Sequence, residues 1–507
     1  MKKIFLFLSV CLLFVSCKYS KNDVVVYRAP DGEVLNTKFN VSVNGIDVPV
    51  YNAKIGMEDK VQREKAMDVR LESHLYYENA GMASFDMKKG PVKVTVSVEE
   101  HIFTAKILPT SFGIKSTIKD NTISFEVTKP QHITVEINGD HIRSLHIFVN
   151  PEETDIPDSN DPDVIYFGPG IHEITSMTIG DNKTVYIAGG AIVRATVGEN
   201  EESWPARWAP AAGLRNWRGA SFNLRGKNIT FRGRGIFDQE GVPNQGRQMM
   251  SITVDDFKME GVILRNASTW TVSLRDCNNV HIDNIKILGF RANSDGIDIN
   301  SSTDVLVENS FLRTLDDLVV VKTLRGSRQD AVRIRVRKCV LWNEVAHALS
   351  IGAELTRRVE DVVFEDCDVI GDHGREWTLR IYHTDSGLIK NVRFENIRIE
   401  ESVRFASLWI NQAVWTSDTE RGRIEDVIFR NISVNNSGYP LYKEFEFIGF
   451  DAEHAINNVL IENVVINGRK VTQEDIKTNP IQIGIGLLLG NREGIVMNEF
   501  VYNVTVK

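Results

Sequence analysis

Asp295, Asp316, Asp317 and His347 have side chains and spacing suited to acid–base chemistry. Three of them stand just before short segments in which apolar residues alternate. These segments are Gly296-Ile-Asp-Ile299, Leu318-Val-Val-Val321 and Ala348-Leu-Ser-Ile351, flanked by Thr271-Val-Ser-Leu274 and Thr378-Leu-Arg-Ile381. Aligned on their apolar positions, they bring Trp270, Asp295, Asp317, His347 and Trp377 to one equivalent place, with Asp316 beside Asp317. If the segments are neighbouring strands, ~4.8 Å separates each from the next. Two carboxylates and an imidazole then share a column between two indoles. Like charges opposed on adjacent strands are destabilising and push one pKa upward. That arrangement makes sense when one carboxyl must stay protonated near neutral pH while its neighbour stays ionised, which is what glycosidic bond hydrolysis requires. Asp295 or Asp304 alone reads equally well as a turn residue. The four residues together do not.

The elements that position this column recur along most of the chain. A pattern of apolar, any, apolar, any, then a turn residue begins at Ile229, Phe257, Val280, Val305, Ile334, Val362, Val392, Val427 and Val459. Its fifth position is Gly233, Gly261, Asn284, Asn309, Lys338, Asp366, Asn396, Asn431 and Asn463. All but Lys338 tolerate a left-handed turn or bond their own backbone there. Alternation by two excludes a helical repeat, and the intervals are too short and uneven for propeller blades of ~40–45 residues. Parallel strands one coil apart, each turning at Asn or Gly, describe a parallel β-helix.

Ahead of it, short alternating runs such as Val92-Lys-Val-Thr-Val-Ser-Val98 and Ile133-Thr-Val-Glu-Ile137 are separated by turns at Asn44-Gly45, Asp120-Asn121 and Asn138-Gly139. They predict an antiparallel β-sandwich. The acidic, proline-punctuated stretch Pro151 to Asp163 marks the boundary, giving a sandwich over 18–155 and a solenoid over 156–507. Residues 1–16 read as an export signal, with Lys2 and Lys3 ahead of an apolar run too short to span a bilayer. Leu13-Phe-Val-Ser-Cys17 resembles a bacterial lipobox, which makes Cys17 the lipidation site and predicts an outer-membrane lipoprotein or periplasmic protein of a Gram-negative bacterium. The chain meets a membrane only through that anchor. Cys277, Cys339 and Cys367 fit neither a disulfide framework nor a zinc site and are expected to be buried. Of 507 residues, 42% are hydrophobic and 25% charged, and 36 Gly stand against 14 Pro. That balance excludes disorder and collagen-like structure. A formal net charge of −9, more negative once Lys2 and Lys3 leave, argues against nucleic acid as a partner.

The blocks Asn293-Ser-Asp-Gly-Ile-Asp298, Asp316-Asp317, His347 leading into Ala-Leu-Ser-Ile-Gly352, and Arg380-Ile-Tyr382 resemble, in order, those of the polygalacturonase family, glycoside hydrolase family 28. Ser268-Thr-Trp270, Cys277-Asn-Asn-Val-His-Ile282 and Gly233-Arg-Gly-Ile-Phe-Asp238 are similar to that family too. The resemblance covers about Val164 to Lys507. It implies an all-β protein with a right-handed, pectin-lyase-like β-helix and an inverting hydrolase acting on pectin or rhamnogalacturonan. By motif position, Asp316 would be the general acid, and Asp295 and Asp317 would activate water. His347 would tune the acid and Asn293 would shape the site. Arg380, Tyr382, Trp270, Trp377 and Lys322 are the further residues expected to bind substrate. No metal or organic cofactor is expected, since acid–base hydrolysis needs none.

Two departures bear on specificity. The family's Gly-His-Gly is Ala346-His347-Ala348, and its Arg-Ile-Lys, which binds a substrate carboxylate, is Arg380-Ile381-Tyr382. Arg291, Lys322, Arg325 and Arg328 are the cations left to offset the lost Lys. The Gly198–Arg218 segment, with Trp204, Trp208 and Trp217, is expected to wall one end of the cleft. The order of sandwich and solenoid also resembles the dextranase and isopullulanase family (glycoside hydrolase family 49), which implies an α-glucan hydrolase as the alternative. A non-catalytic carbohydrate-binding solenoid is the third reading.

Overall fold

The computed structural model describes residues 19–59, 61, 62, 65, 73–205, 213, 215–436, 441–478 and 494–507. The export signal, Cys17 and Trp208 lie outside the described residues. No helix among the described residues is long and apolar enough to cross a membrane.

Between Val164 and Val506 the described residues wind as a right-handed parallel β-helix. One coil contributes Val272–Arg275, Asn278–Asp283 and Lys286–Leu288, and the next Ile297–Asn300, Thr303–Glu308 and Phe311–Thr314. Each strand pairs in parallel with its counterpart one coil on. All nine turn positions read from the sequence have left-handed φ, between 49° at Asn309 and 135° at Gly233. Lys338 follows its neighbours, at 54°. Side chains lace part of this ladder: Asn431 Nδ2 donates to Asn396 Oδ1 at 3.0 Å, and Asn463 Nδ2 to Asn431 Oδ1 at 2.8 Å.

Inside the coils, period-two alternation stacks Val272, Ile297, Val319, Leu349 and Leu379 in register, all fully buried. Phe364, Phe394 and Phe429 stack with successive centroids 5.1 Å apart. Cys277, Cys339 and Cys367 are buried and unpaired by disulfides.

The N-terminal region forms two sheets. One joins Ile46–Val48, Asn40–Val43, Val92–Ser97, Thr122–Val127 and Ser116–Lys119, all antiparallel. Asn44-Gly45 and Asn138-Gly139 carry positive φ at both residues, the geometry that matches hairpin twist. The second sheet departs from the expected antiparallel pattern at one place, where Leu145–Pro151 pairs in parallel with Gly81–Met87.

That second sheet has two apolar faces. Ala83, Phe85, Leu145 and Ile147 pack inside the sandwich. Met82 and Phe148 instead pack on Ile263, Leu288, Phe311, Val340 and Trp342, one face of the solenoid. Buried polar links accompany this docking. Arg234 Nε donates to Asp86 at 3.0 Å, Arg265 binds Asp238 at 2.7 Å and Glu33 at 2.8 Å, and Arg313 binds Glu344 at 2.7 Å. The loops leaving the docked face are those that carry the acids.

Candidate active site

Backbone bonds between coils set the acid column. Thr271 N donates to Asp295 O at 2.9 Å, Gly296 N to Asp317 O at 2.8 Å, Leu318 N to His347 O at 2.9 Å, and Ala348 N to Thr378 O at 3.1 Å. The same register continues past Trp377 to Arg404 and Lys443, which pair directly. Gly296 is needed for this close stacking: a Cβ there would lie 2.4 Å from Leu318 O. Asn293 turns the chain toward Asp295 with φ 59°.

One oxygen from each of Asp295, Asp316 and Asp317 lies within 4.8 Å of the others. At their nearest oxygens the acids therefore approach more closely than the ~6.5–9.5 Å between carboxyl groups that admits an attacking water. Such packing suits a cation when the carboxyls are ionised. Burial pushes Asp316 up to about 6, helped by the Asp317 charge against Lys322. Burial, with Asp298 and Asp316 as neighbours, holds Asp295 well above the usual carboxylate range. Burial acts on Asp317 too, but His347, Lys322 and Arg380 outweigh it and hold this carboxyl below its ordinary value. The surroundings thus favour the protonated form at Asp316 and Asp295 and the ionised form at Asp317. Asp316 is also the most exposed of the three.

His347 links the acids to the cations. Its Nδ1 donates to Asp317 Oδ1 at 2.6 Å, and Arg380 Nη1 donates to its Nε2 at 3.1 Å. Lys322 Nζ bonds Asp295 Oδ2 at 3.3 Å and Asp298 Oδ1 at 2.9 Å, 4.3 Å from the Trp270 ring centre. Asn293 keeps a buried, unpartnered Oδ1 beside the column. Trp270 is half-buried at the cleft, whereas Trp377, at 3% exposure, presents almost no face to a sugar. Tyr382 packs edge-on against Trp409 and Trp415, with centroids 4.8 and 5.9 Å away.

Of the other cations proposed to offset the missing Lys, Arg291 is spent on the carbonyls of Val242 and Glu240, and Arg328 pairs with Asp276. Arg325 is exposed. The strands Ser203–Pro205 and Arg215–Trp217 form a hairpin, and Trp217 N bonds Gly246 O beside the Trp270 coil. Sequence reasoning gave no role to Asp298, Glu376 or Trp415. Asp298 was legible as the outward residue of Gly296-Ile-Asp-Ile299, and burial raises it to about 7 against the pull of Lys322. Glu376, four residues before Arg380, holds its Nη1 at 2.6 Å.

The sequence model for glycosyl hydrolases family 28 matches residues 216–482, more than half of the chain. The chain belongs to this family. Among curated relatives, the polygalacturonase of Juniperus ashei is 26% identical over 254 residues, 45% of this chain and 48% of that protein. A probable endopolygalacturonase D of Neosartorya fischeri is 27% identical over 183 residues, 35% of this chain and 36% of that protein. The chain thus spans less than half the length of the curated relatives it matches. Among solved structures, the Yersinia enterocolitica family 28 exopolygalacturonase aligns at 14% identity and TM-score 0.48, covering 81% of this chain and 96% of that one. The polygalacturonase of Erwinia carotovora aligns at 17% and 0.49, covering 66% and 86%.

Within family 28, the two alanines around His347 are accommodated without strain, because neither has a left-handed φ. The histidine itself carries a prediction. His347→Ala removes the donor that most offsets burial at Asp317, so Asp317 titrates higher. Activity lost on acidification as Asp317 takes up a proton should then be lost at a higher pH than in the wild-type chain, read as the acid limb of kcat/KM. An unmoved limb would mean that Lys322 and Arg380 hold Asp317 without the imidazole.

Proposed function

We propose that this family 28 chain hydrolyses O-glycosidic bonds of a pectic polysaccharide, of the polygalacturonan or rhamnogalacturonan type, with inversion. The observation that carries the reading is a carboxyl held up to about 6, Asp316, next to one held low, Asp317. Asp316 gives its proton to the leaving glycosidic oxygen as the bond to the anomeric carbon breaks. Water forms the new bond to that carbon, and its proton passes to Asp317. Asp295, held high by burial and bonded by Lys322 Nζ at 3.3 Å, stands beside Asp317 and helps to position the attacking water. Inversion rests on the family pattern. Lipidation at Cys17 and an outer-membrane or periplasmic location are proposed on the N-terminal sequence only.

The test is incubation with polygalacturonate, rhamnogalacturonan and α-glucan, following reducing ends and the anomeric configuration of the first products by NMR. Saturated, inverted products from a pectic polymer are expected. Unsaturated rings would overturn hydrolysis, and retained configuration would overturn inversion. Release from α-glucan alone would favour the dextranase-type reading. Absence of products from every polymer would leave a binding module.

A further inference from the structure

On the His347 side of the acids, the outward residues of the next two strands are Arg380 and Tyr382, then Ser407 and Trp409. Among the described residues, the cations on these coils already have partners. Arg380 is bonded to Glu376 at 2.6 Å, and its guanidinium carbon lies over the Tyr382 ring, 3.9 Å from the ring centre. Lys322 is shared by Asp295 and Asp298. Lys443 is paired with Glu446, and Arg404 donates to the Arg375 carbonyl. A sugar carboxylate entering this subsite would have to compete with Glu376 and Asp317 for the charge of Arg380. Several like charges gathered around one shared counter-charge are disfavoured.

What the subsite offers instead is apolar and neutral. Tyr382 stands where the family's Lys would, braced by Trp409 and by Trp415, which is 47% exposed. On the coils either side of Arg380 are two buried hydroxyls without protein partners, Ser350 Oγ and Ser407 Oγ. Ser350, Arg380 and Ser407 are register neighbours on consecutive coils. Aromatic edges, with Trp415 open to solvent, suit the apolar faces of an uncharged sugar.

We propose that the subsite formed by Arg380, Tyr382, Trp409 and Trp415 takes a neutral sugar, so that the substrate is a polymer with an uncharged residue next to the cleaved bond rather than an unbroken chain of uronates. This rests on the hydrolase reading above, and the test separates the two. The wild-type chain is given polygalacturonate, in which every residue is charged, and rhamnogalacturonan backbone, in which neutral and charged residues alternate. Cleavage of the second at least about 10-fold faster is expected. The double variant Glu376→Gln, Tyr382→Lys, which frees Arg380 and adds a cation, should gain about 10-fold or more on polygalacturonate. Faster wild-type cleavage of polygalacturonate would overturn the neutral subsite and leave the hydrolase standing. If neither polymer is cut, the hydrolase reading fails, and affinity electrophoresis of the same chain still decides the subsite. Retardation by rhamnogalacturonan that is lost in Trp409→Ala supports it, whereas stronger retardation by polygalacturonate, or none by either, overturns it.

Discussion

Replacing Asp316 by Asn is expected to lower kcat by about 10²–10⁴-fold while raising the melting temperature near pH 7. The catalytic half follows from position and protonation. Asp316 is the most exposed of three clustered acids, and burial with the Asp317 charge holds its carboxyl up to about 6. An amide keeps the oxygen that accepts from Asp317 N at 3.0 Å, so the loop has no reason to move, but it has no proton to give. In the wild-type chain, activity should fall as pH rises through about 6, because the acid form of Asp316 is lost. The stability half follows from the same shift with its sign worked out. A carboxyl titrating near 6 when folded and near ~3.9 when unfolded makes the folded state progressively less stable as pH rises between those values. An uncharged Asn removes that penalty. Loss of activity together with a gain in Tm separates a missing proton donor from a damaged fold. A lower Tm would mean that Asp316 is structural, and a kcat within 10-fold of wild type would remove it as the acid.

The acid column was legible because a β-helix repeats two simple things, a period of two and a turn residue that accepts positive φ. Aligning five segments on their apolar positions gives the register found at Val272, Ile297, Val319, Leu349 and Leu379. The column's continuation to Arg404 and Lys443 was not read, because the coils around them are longer and the spacing loses its regularity. Partners reached by long side chains were also hidden. Lys322 extends from its strand to Asp295 and Asp298, 27 and 24 residues earlier, and nothing periodic records that reach. Trp415 sits in an irregular loop and follows no pattern. Trp377 shows the opposite case: its place in the column was legible, but register does not reveal that its side chain is buried. The docking of sandwich on solenoid depends on residues such as Asp86 and Arg234, 148 positions apart, which no local pattern joins.

That docking should govern stability more than any surface feature, and Asp86→Ala tests it. Asp86 is fully buried and accepts from Arg234 Nε at 3.0 Å, Tyr27 Oη at 2.9 Å and Glu153 N at 3.2 Å. Removing the carboxylate strands a guanidinium that is itself buried, the situation in which one member of a buried ion pair costs about 3–5 kcal/mol. For a chain of this size that is a fall in Tm on the order of 3–5 °C by calorimetry. Replacing both partners, Asp86→Leu with Arg234→Met, should recover most of it, because a buried pair exchanged for apolar groups of similar volume is often neutral. A Tm unchanged in Asp86→Ala would mean that the apolar contact of Met82 and Phe148 with Phe311 and Trp342 holds the interface alone. The consequence reaches the site through Tyr76 of the sandwich, which packs on Ala292, Leu315 and Val345. Ala292 precedes Asn293, Leu315 precedes Asp316, and Val345 lies two residues before His347. Loosening the interface should therefore weaken kcat in Asp86→Ala below its melting temperature, and the double variant should restore it. In that case the sandwich acts as the support against which the acid-bearing loops are set.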